Sequence, residues 1–450
     1  MKKIAFILVV ATFLAFPFAG TLLAAMPERP LVFVHGYSGS AAQYEAQAMR
    51  FAGNGYPTDW IYTVEWNSTF TWVPFPSWDL PSALAAVDAA VAKAIADTGV
   101  EQVDLAAHSM GTSVCQVWLS SPERAANVAH YVNYDGGTAL APPGGVETLA
   151  IWGEGDPARQ IIGAVNMQWA DQDHTEVVTA KESFAAVYEF LNGVAPETTD
   201  VVPEPPGQVS IAGRAVIWVT NTGVEEDSTL EIYEIHPSTG FRKGNARFSL
   251  VLPEDGSFGP FRVNGKKSYE FALIREGYRT HHFYFEPFAR TDHLLRLITT
   301  AAADGLTIDT SDDSAYLVLS RSKEWWADGT PDPDTIEING VNIINPAIQP
   351  RTKGAVAILA YDANSDHVTD LSAPASDQLF VTAVDIYMPA AIPPDGTITV
   401  VSDPRNSDTV INEINIPNWA SSEHRVTLIF NDWLQEVDAW PKGKKKKGKK

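Results

Sequence analysis

The sequence predicts two unlike parts: an α/β domain over residues 28–193, with a mostly parallel sheet covered by helices on both faces, and an all-β region beyond it. Three observations carry this. Apolar runs alternate with helical patterns from residue 30 to 192, as a parallel sheet with covering helices requires. A proline-rich stretch at 195–207 then breaks the pattern. After it, apolar residues recur with period two between turn residues, as in half-buried strands.

Element by element, Leu31-Val32-Phe33-Val34 reads as a short buried strand. Residues 84–96 repeat alanine and valine at helical spacing, 103–107 form the next strand, and 128–134 and 148–152 form two more. An amphipathic helix over 181–191 closes the domain, and 194–207 is the linker. Strands at 216–219, 230–233 and 269–273 belong to a sandwich-like β-domain over 208–300. Strands at 355–359 and 397–401 belong to a second β-rich domain over 301–440. A chain of 450 residues is too long for one ordinary core, in keeping with several domains.

Composition removes several classes of function. Cys115 is the single cysteine, so no intrachain disulfide or thiolate metal cluster is possible. Net charge is −23, and the lysine-rich tail at 441–450 alone carries seven positive charges, leaving the remainder at −30. So acidic a body argues against nucleic acid as a partner, because that binding is driven by phosphate contacts. The tail is either a solvated appendage or a contact for an anionic lipid or cell surface. At the other end, Lys2 and Lys3 precede an apolar run from Ile4 to Ala24 that ends in small residues. This reads as a signal peptide over 1–25 and predicts a secreted or periplasmic protein, with an uncleaved membrane anchor as the alternative.

The chemistry centres on Ala107-His108-Ser109-Met110-Gly111, which follows a strand and precedes a helical stretch. Such a turn, with small residues two positions either side of a serine, presents the hydroxyl above the sheet as a nucleophile. Attack on an acyl carbonyl creates an oxyanion that needs two preorganised N–H donors. Met110, next to the serine, supplies one, and Tyr37 in His35-Gly36-Tyr37 after the first strand supplies the other. His35 shapes that loop without acting as the base.

The base is expected after the last strand, where Asp173-His174-Thr175-Glu176 stands, so His174 is the candidate. His108 points away within the turn and His130 lies on a buried strand. The acid that orients the base is either Asp135 or Asp156, both at strand ends between Ser109 and His174. This machinery uses no cofactor and no metal. Asp362-Ala363-Asn364-Ser365-Asp366 alternates oxygen ligands but lacks the glycine and glutamate of a calcium loop. Asn67-Ser68-Thr69 is a glycosylation sequon.

Trp60, Tyr62, Trp66, Phe70, Trp72, Phe75 and Trp78 crowd one segment that Pro74 and Pro76 keep irregular. The expectation is an apolar cover over the serine, with Trp60, Trp66, Phe70, Trp72, Phe75 and Trp78 binding substrate; the plainer reading is a hydrophobic rim or packing against the β-region.

Together these residues resemble the α/β-hydrolase lipases. The alanine-first serine turn is similar to that of the small Bacillus lipases. The wider likeness is to lipases of the Archaeoglobus type, which join a hydrolase domain to a C-terminal β-domain. It rests on His108-Ser109-Met110-Gly111-Thr112, Ser120-Ser121-Pro122-Glu123-Arg124-Ala125-Ala126, Thr198-Thr199-Asp200-Val201-Val202-Pro203 and Phe285-Glu286-Pro287-Phe288-Ala289-Arg290-Thr291-Asp292. The resemblance implies a lipase or carboxylesterase with an acyl ester or lipid substrate, Ser109 as nucleophile, His174 as base, and a β-domain that helps bind long acyl chains. It places the acid in an Asp-Gly pair and so prefers Asp135, with Asp156 the alternative. Another acyl hydrolase (polyester depolymerase, thioesterase or amidase) fits the same machinery, and a surface-binding protein with an inert hydrolase domain is the third reading.

Overall fold

The computed structural model describes residues 27–71, 77–301, 310–407 and 411–433. The expected signal segment, the lysine tail, Trp72 and Phe75 lie outside the described residues. The first part is built on a six-stranded sheet of β1 (Leu31–Val34), β2 (Ile61–Val64), β3 (Val103–His108), β4 (Val128–Tyr134), β5 (Glu147–Trp152) and β6 (Val165–Gln168). The spatial order is β2-β1-β3-β4-β5-β6 and every pairing is parallel.

Alternation along each strand sends side chains to two faces, and both are covered. Val32, Val34, Val103 and Leu105 pack against α2 (Leu80–Thr98) and α3 (Met110–Leu119). Leu31, Phe33, Ala106, Val132 and Ile151 pack against Phe51 of α1 (Glu45–Gly53) and Phe184 and Val187 of α4 (Lys181–Asn192). Helix α2 starts where Asp79 accepts a hydrogen bond from the Ser82 N–H at 3.2 Å, a side-chain cap, with Pro81 in its first turn. Its buried residues Ala83, Val87, Val91 and Ala94 fall on one stripe.

The β-region is two sandwiches that share a sheet. Nine strands run in the order Ser376–Gln378, Val381–Asp385, Ala357–Tyr361, Leu317–Ser320, His424–Ile429, Thr280–Phe285, Ser268–Ile274, Thr229–Ile235 and Phe248–Val251. One end is faced by a three-stranded sheet of Ser257–Arg262, Ser210–Ile217 and Asp292–Thr299, through a core that includes Ile211, Leu297, Phe271 and Phe283. The other end is faced by four strands, Val341–Asn342, Thr335–Ile338, Thr397–Asp403 and Asn412–Pro417, through Ile336, Val400, Leu319 and Leu428. The join is His424–Ile429, which pairs in parallel with Thr280–Phe285 on one side and Leu317–Ser320 on the other. The sequence suggests two successive β-units; their hydrogen bonding is continuous.

The proline-rich stretch, read from the sequence as a linker, is docked along the hydrolase part. Asn54 Nδ2 donates to Thr198 O at 2.8 Å and Asn54 Oδ1 accepts from Thr198 N at 3.1 Å. Arg50 Nε donates to Thr199 O at 2.8 Å, and Val201 is buried with Met49, Ala289 and Trp433.

Candidate active site

The carboxyl ends of the strands meet at the switch in strand order around β1 and β3, where open α/β sheets place their sites. Ser109 stands there between β3 and α3 with φ +50°, a region that side-chain-bearing residues seldom adopt. Neighbouring bonds hold it: Ser109 N donates to Tyr134 O at 3.0 Å, and Ser109 O accepts from Thr112 N at 3.0 Å and Thr112 Oγ1 at 2.6 Å. The small residues of the turn have a steric cause. A Cβ on Gly111 would lie 2.4 Å from the His35 carbonyl oxygen, and one on Gly36 would lie 2.8 Å from Ser109 Cβ.

His174 Nε2 lies 2.9 Å from Ser109 Oγ, and His174 Nδ1 lies 2.6 Å from Asp135 Oδ2. The other oxygen of Asp135 accepts from Gly153 N at 2.8 Å and meets Arg159 Nη1 at 2.8 Å. Asp156 does not reach His174; it is exposed and accepts from Ala158 N at 2.9 Å within its own turn. Strand order explains the difference. Asp135 directly follows β4, which borders β3, whereas Asp156 stands beyond β5, one strand further from Ser109.

Burial disfavours the charged imidazolium of His174, but the hydrogen bond and charge of Asp135, with Glu324 and Asp173 adding, raise its pKa above the ordinary value. Burial pushes the Asp135 carboxyl up, and His174, the Gly153 N–H and Arg159 outweigh it and hold it low. A carboxylate against a basic imidazole is the pairing that a general base needs.

The other histidines have structural partners. His108 is buried; its Nδ1 meets Gln43 Nε2 at 2.7 Å and its Nε2 meets the His174 carbonyl oxygen at 2.8 Å. Burial, then the nearby His174, drive its pKa down to about 3, so it stays neutral beneath the base. His35 lies in its loop with Nδ1 2.8 Å from Gly36 O, stacked on Trp66. His130 bonds Asp104 at 2.8 Å.

Among the described residues no protein group accepts the N–H of Tyr37 or Met110, which leaves both free for an oxyanion. The Tyr37 loop is fixed from across the domain boundary. Trp218 Nε1 donates to Ser38 Oγ at 2.9 Å, and Asn221 Nδ2 donates to Gly39 O at 2.9 Å and His35 Nε2 at 3.0 Å. Arg296 pairs with Glu65 at 2.7 Å, and the same Glu65 oxygen accepts from Ala41 N at 3.0 Å. Sequence reading finds none of Arg159, Asn221, Arg296 or Glu324, because each acts across a turn or between segments remote in the chain and carries no local motif.

A cleft at Ser109 and His174 runs between the two parts of the molecule. The hydrolase side contributes Tyr37, Ser40 and Glu45, and the β-region contributes Ile298, Val356, Phe380, Ile429, Phe430, Asp432 and Trp433. Phe380 stacks on the His174 ring, 13° from parallel with centroids 6.3 Å apart. Of the expected aromatic cover, part of the segment is placed elsewhere. Ile61–Val64 is a strand of the sheet, so the aromatic segment is partly core. Trp66 is buried, donates to His35 O at 3.0 Å and packs edge-on with Trp78. Trp60 ends a short turn ahead of β2. Phe70 lies edge-on to Tyr37 with ring centroids 6.5 Å apart. Within the Asp362–Asp366 turn, Asp362 Oδ2 accepts from His367 N and Asp366 Oδ1 from Val368 N, while Asp362 Oδ1 is buried without a partner among the described residues.

Fold and site together define an ester hydrolase of the α/β class. The model of the class 2 lipases matches residues 28–119, that of the lipase C-terminal domain matches 207–302, and a further C-terminal domain model matches 304–434. The chain belongs to the α/β-hydrolase lipase family with a C-terminal β-domain. A search of the curated proteins found no match. Among solved structures, the Bacillus licheniformis lipase BlEst2 is similar over 37% of this chain and 93% of its own, at 15% identity and TM-score 0.29. Aspergillus fumigatus lipase B is similar over 38% and 54%, at 15% identity and TM-score 0.29.

Proposed function

We propose that this chain is an exported lipase or carboxylesterase that cleaves acyl esters through an acyl-enzyme on Ser109. The observation that carries the reading is the unbroken path from Ser109 Oγ through both nitrogens of His174 to Asp135, at 2.9 and 2.6 Å. Ser109 Oγ attacks the acyl carbonyl carbon while His174 Nε2 takes its proton. The oxyanion of the tetrahedral adduct is held by the N–H groups of Tyr37 and Met110, and Asp135 stabilises the imidazolium. His174 returns the proton to the leaving alcohol as the ester C–O bond breaks. Water, deprotonated by His174, then adds to the acyl-enzyme, and Ser109 leaves with the proton restored. The N-terminal segment supports export to the periplasm or beyond. The test is hydrolysis of p-nitrophenyl butyrate and decanoate by the wild type and Ser109→Ala. Loss of both activities supports the reading, and equal rates in the two proteins sink it.

One observation favours a hydroxylated acyl chain. Glu45, Arg296, Ser320, Arg321, Ser322 and Asp432 line the same cleft as the apolar side chains, and Asp432 Oδ1 is buried without a hydrogen-bond partner. Arg296, Arg321 and Ser322 already have protein partners, so the unanswered atom is the Asp432 acceptor; a hydrocarbon tail leaves it so, whereas a hydroxyl on the acyl chain donates to it. Comparing plain and hydroxylated acyl esters of equal length separates the two substrate classes.

A further inference from the structure

The segment that carries His174 is bonded on both sides of the histidine by the β-region. Glu324 extends its carboxylate to the two residues that follow the histidine, accepting from Thr175 N at 2.5 Å through Oε1 and from Glu176 N at 3.0 Å through Oε2. The same face of the β-region holds the neighbours on either side. Trp326 Nε1 donates to Asp173 Oδ2 at 3.0 Å, and Glu176 takes Lys323 at 2.8 Å and Arg405 at 2.5 Å. Arg405 also donates to the Glu324 carbonyl oxygen and pairs with Asp334, which in turn takes Arg321. Glu324 is buried at 1% exposure, and among the described residues no basic side chain pairs with its carboxylate, which takes the Thr175 and Glu176 N–H groups. A buried carboxylate so placed costs solvation that only well-aligned, charge-assisted bonds offset.

We infer that Glu324 is a positioning residue for the base: it fixes the backbone on the C-terminal side of His174 so that the imidazole spans Ser109 and Asp135. This rests on the reading of His174 as the base. The two bonds cannot both survive loss of one carboxylate oxygen. Glutamine retains one acceptor and turns an N–H donor toward the other amide, so the segment must shift. Shifts of about 1 Å between reacting groups cost up to about a hundredfold in rate. Glu324 also acts through its charge, one of those that favour the imidazolium. The other titratable groups facing His174 are Asp135, Asp173 and His108, with Glu176, Lys323, Arg405 and Glu154 around the segment. Burial and then the charge of Asp173 push the Glu324 carboxyl up to about 7.

The test uses the full chain as wild type, Glu324→Gln, Glu324→Ala and Ser109→Ala. The measurements are kcat and KM on p-nitrophenyl butyrate from pH 5 to 9, the rate of fluorophosphonate labelling at Ser109, and Tm. For Glu324→Gln we expect kcat down on the order of tenfold with KM within about twofold, labelling slowed by the same factor, and the acid limb of the pH profile moved to lower pH. Wild-type kcat and an unmoved limb in Glu324→Gln overturn the inference. So does a fall in Tm with neither kinetic change, which makes Glu324 a folding contact only. Should Glu324→Ala not fold, the near-isosteric glutamine still decides. If Ser109→Ala keeps full activity the underlying reading fails; if it is dead while Glu324→Gln behaves as wild type, only the role of Glu324 is lost.

Discussion

Glu65 and Arg296 stand 231 positions apart in the chain and meet at 2.7 Å, both nearly buried, one at the end of the parallel sheet and the other on a β-region strand. The pair lies behind the loop that carries Tyr37: Glu65 takes the Ala41 N–H, and its second oxygen is 3.6 Å from His35 Nε2. Burial pushes the Glu65 carboxyl up, and the charges of Arg296 and His35 outweigh it and hold it below the ordinary range. Removing one partner of a buried pair leaves an uncompensated charge. Arg296→Met is therefore expected to destabilise the protein by about 3–5 kcal/mol, and Arg296→Met/Glu65→Gln by less than the single change. Chemical denaturation of the two single variants and the double measures the coupling. Strict additivity would remove the pair as a determinant of that loop.

The acid assignment gives a sharp contrast. Asp135→Asn keeps the shape of the site but lets Nδ1 of His174 take the wrong tautomer, for which losses of about 10⁴-fold in kcat are typical of such triads. Asp156→Asn is expected to stay within about twofold, because its exposed carboxylate accepts the Ala158 N–H within its own turn, away from His174. Steady-state rates on one short ester are sufficient. A large loss from Asp156→Asn with a small one from Asp135→Asn would reverse the assignment.

The pH profile follows from the same bonds. His174 works as a base only when neutral, and, against burial, the Asp135 carboxylate holds its pKa above the ordinary histidine value. Activity should therefore rise with pH through a midpoint above that of an ordinary histidine. For stability the sign is opposite. A raised folded-state pKa contributes stability that is full below the unfolded value and is lost as pH rises through the folded one. In Asp135→Asn the largest raising influence is gone and burial remains, so the residual activity should turn on at lower pH than in the wild type. NMR titration of the imidazole checks the direction independently of rate.

How far the sequence alone reached follows from which forces are local. Leu31–Val34, Val128–Tyr134 and the last helix of the hydrolase domain were legible because burial on both sheet faces or along one stripe imprints a period on neighbouring residues. Ser109 was legible because the strained turn excludes bulk at Gly111, two positions away. Ile61–Val64 was not, since its aromatic flanks hid a four-residue strand, and the exposed Val165–Gln168 has no apolar period to read. Asp135 could not be told from Asp156 without the strand order. Asn221, Arg296 and Glu324 were invisible for a different reason: each bonds a partner well over a hundred residues away, and one chain records no pairing at that distance.

The lining of the cleft predicts that substrate preference depends on the β-region. Phe380 lies against His174 and shares the cleft with Val356 and Phe430, whereas Trp66 is packed in the core behind His35. Burying an aromatic side chain against an apolar chain is worth about 1.5–3 kcal/mol, and a butyrate is too short to collect most of it. Phe380→Ala is thus expected to lower kcat/KM for p-nitrophenyl decanoate by roughly tenfold or more while changing butyrate by less than about threefold. Trp78→Ala, which trims the partner of Trp66, should lower Tm and leave the decanoate-to-butyrate ratio where it was. Measuring that ratio in both variants decides between the two locations. A ratio that moves in Trp78→Ala and holds in Phe380→Ala would return the acyl site to the segment between Trp60 and Trp78.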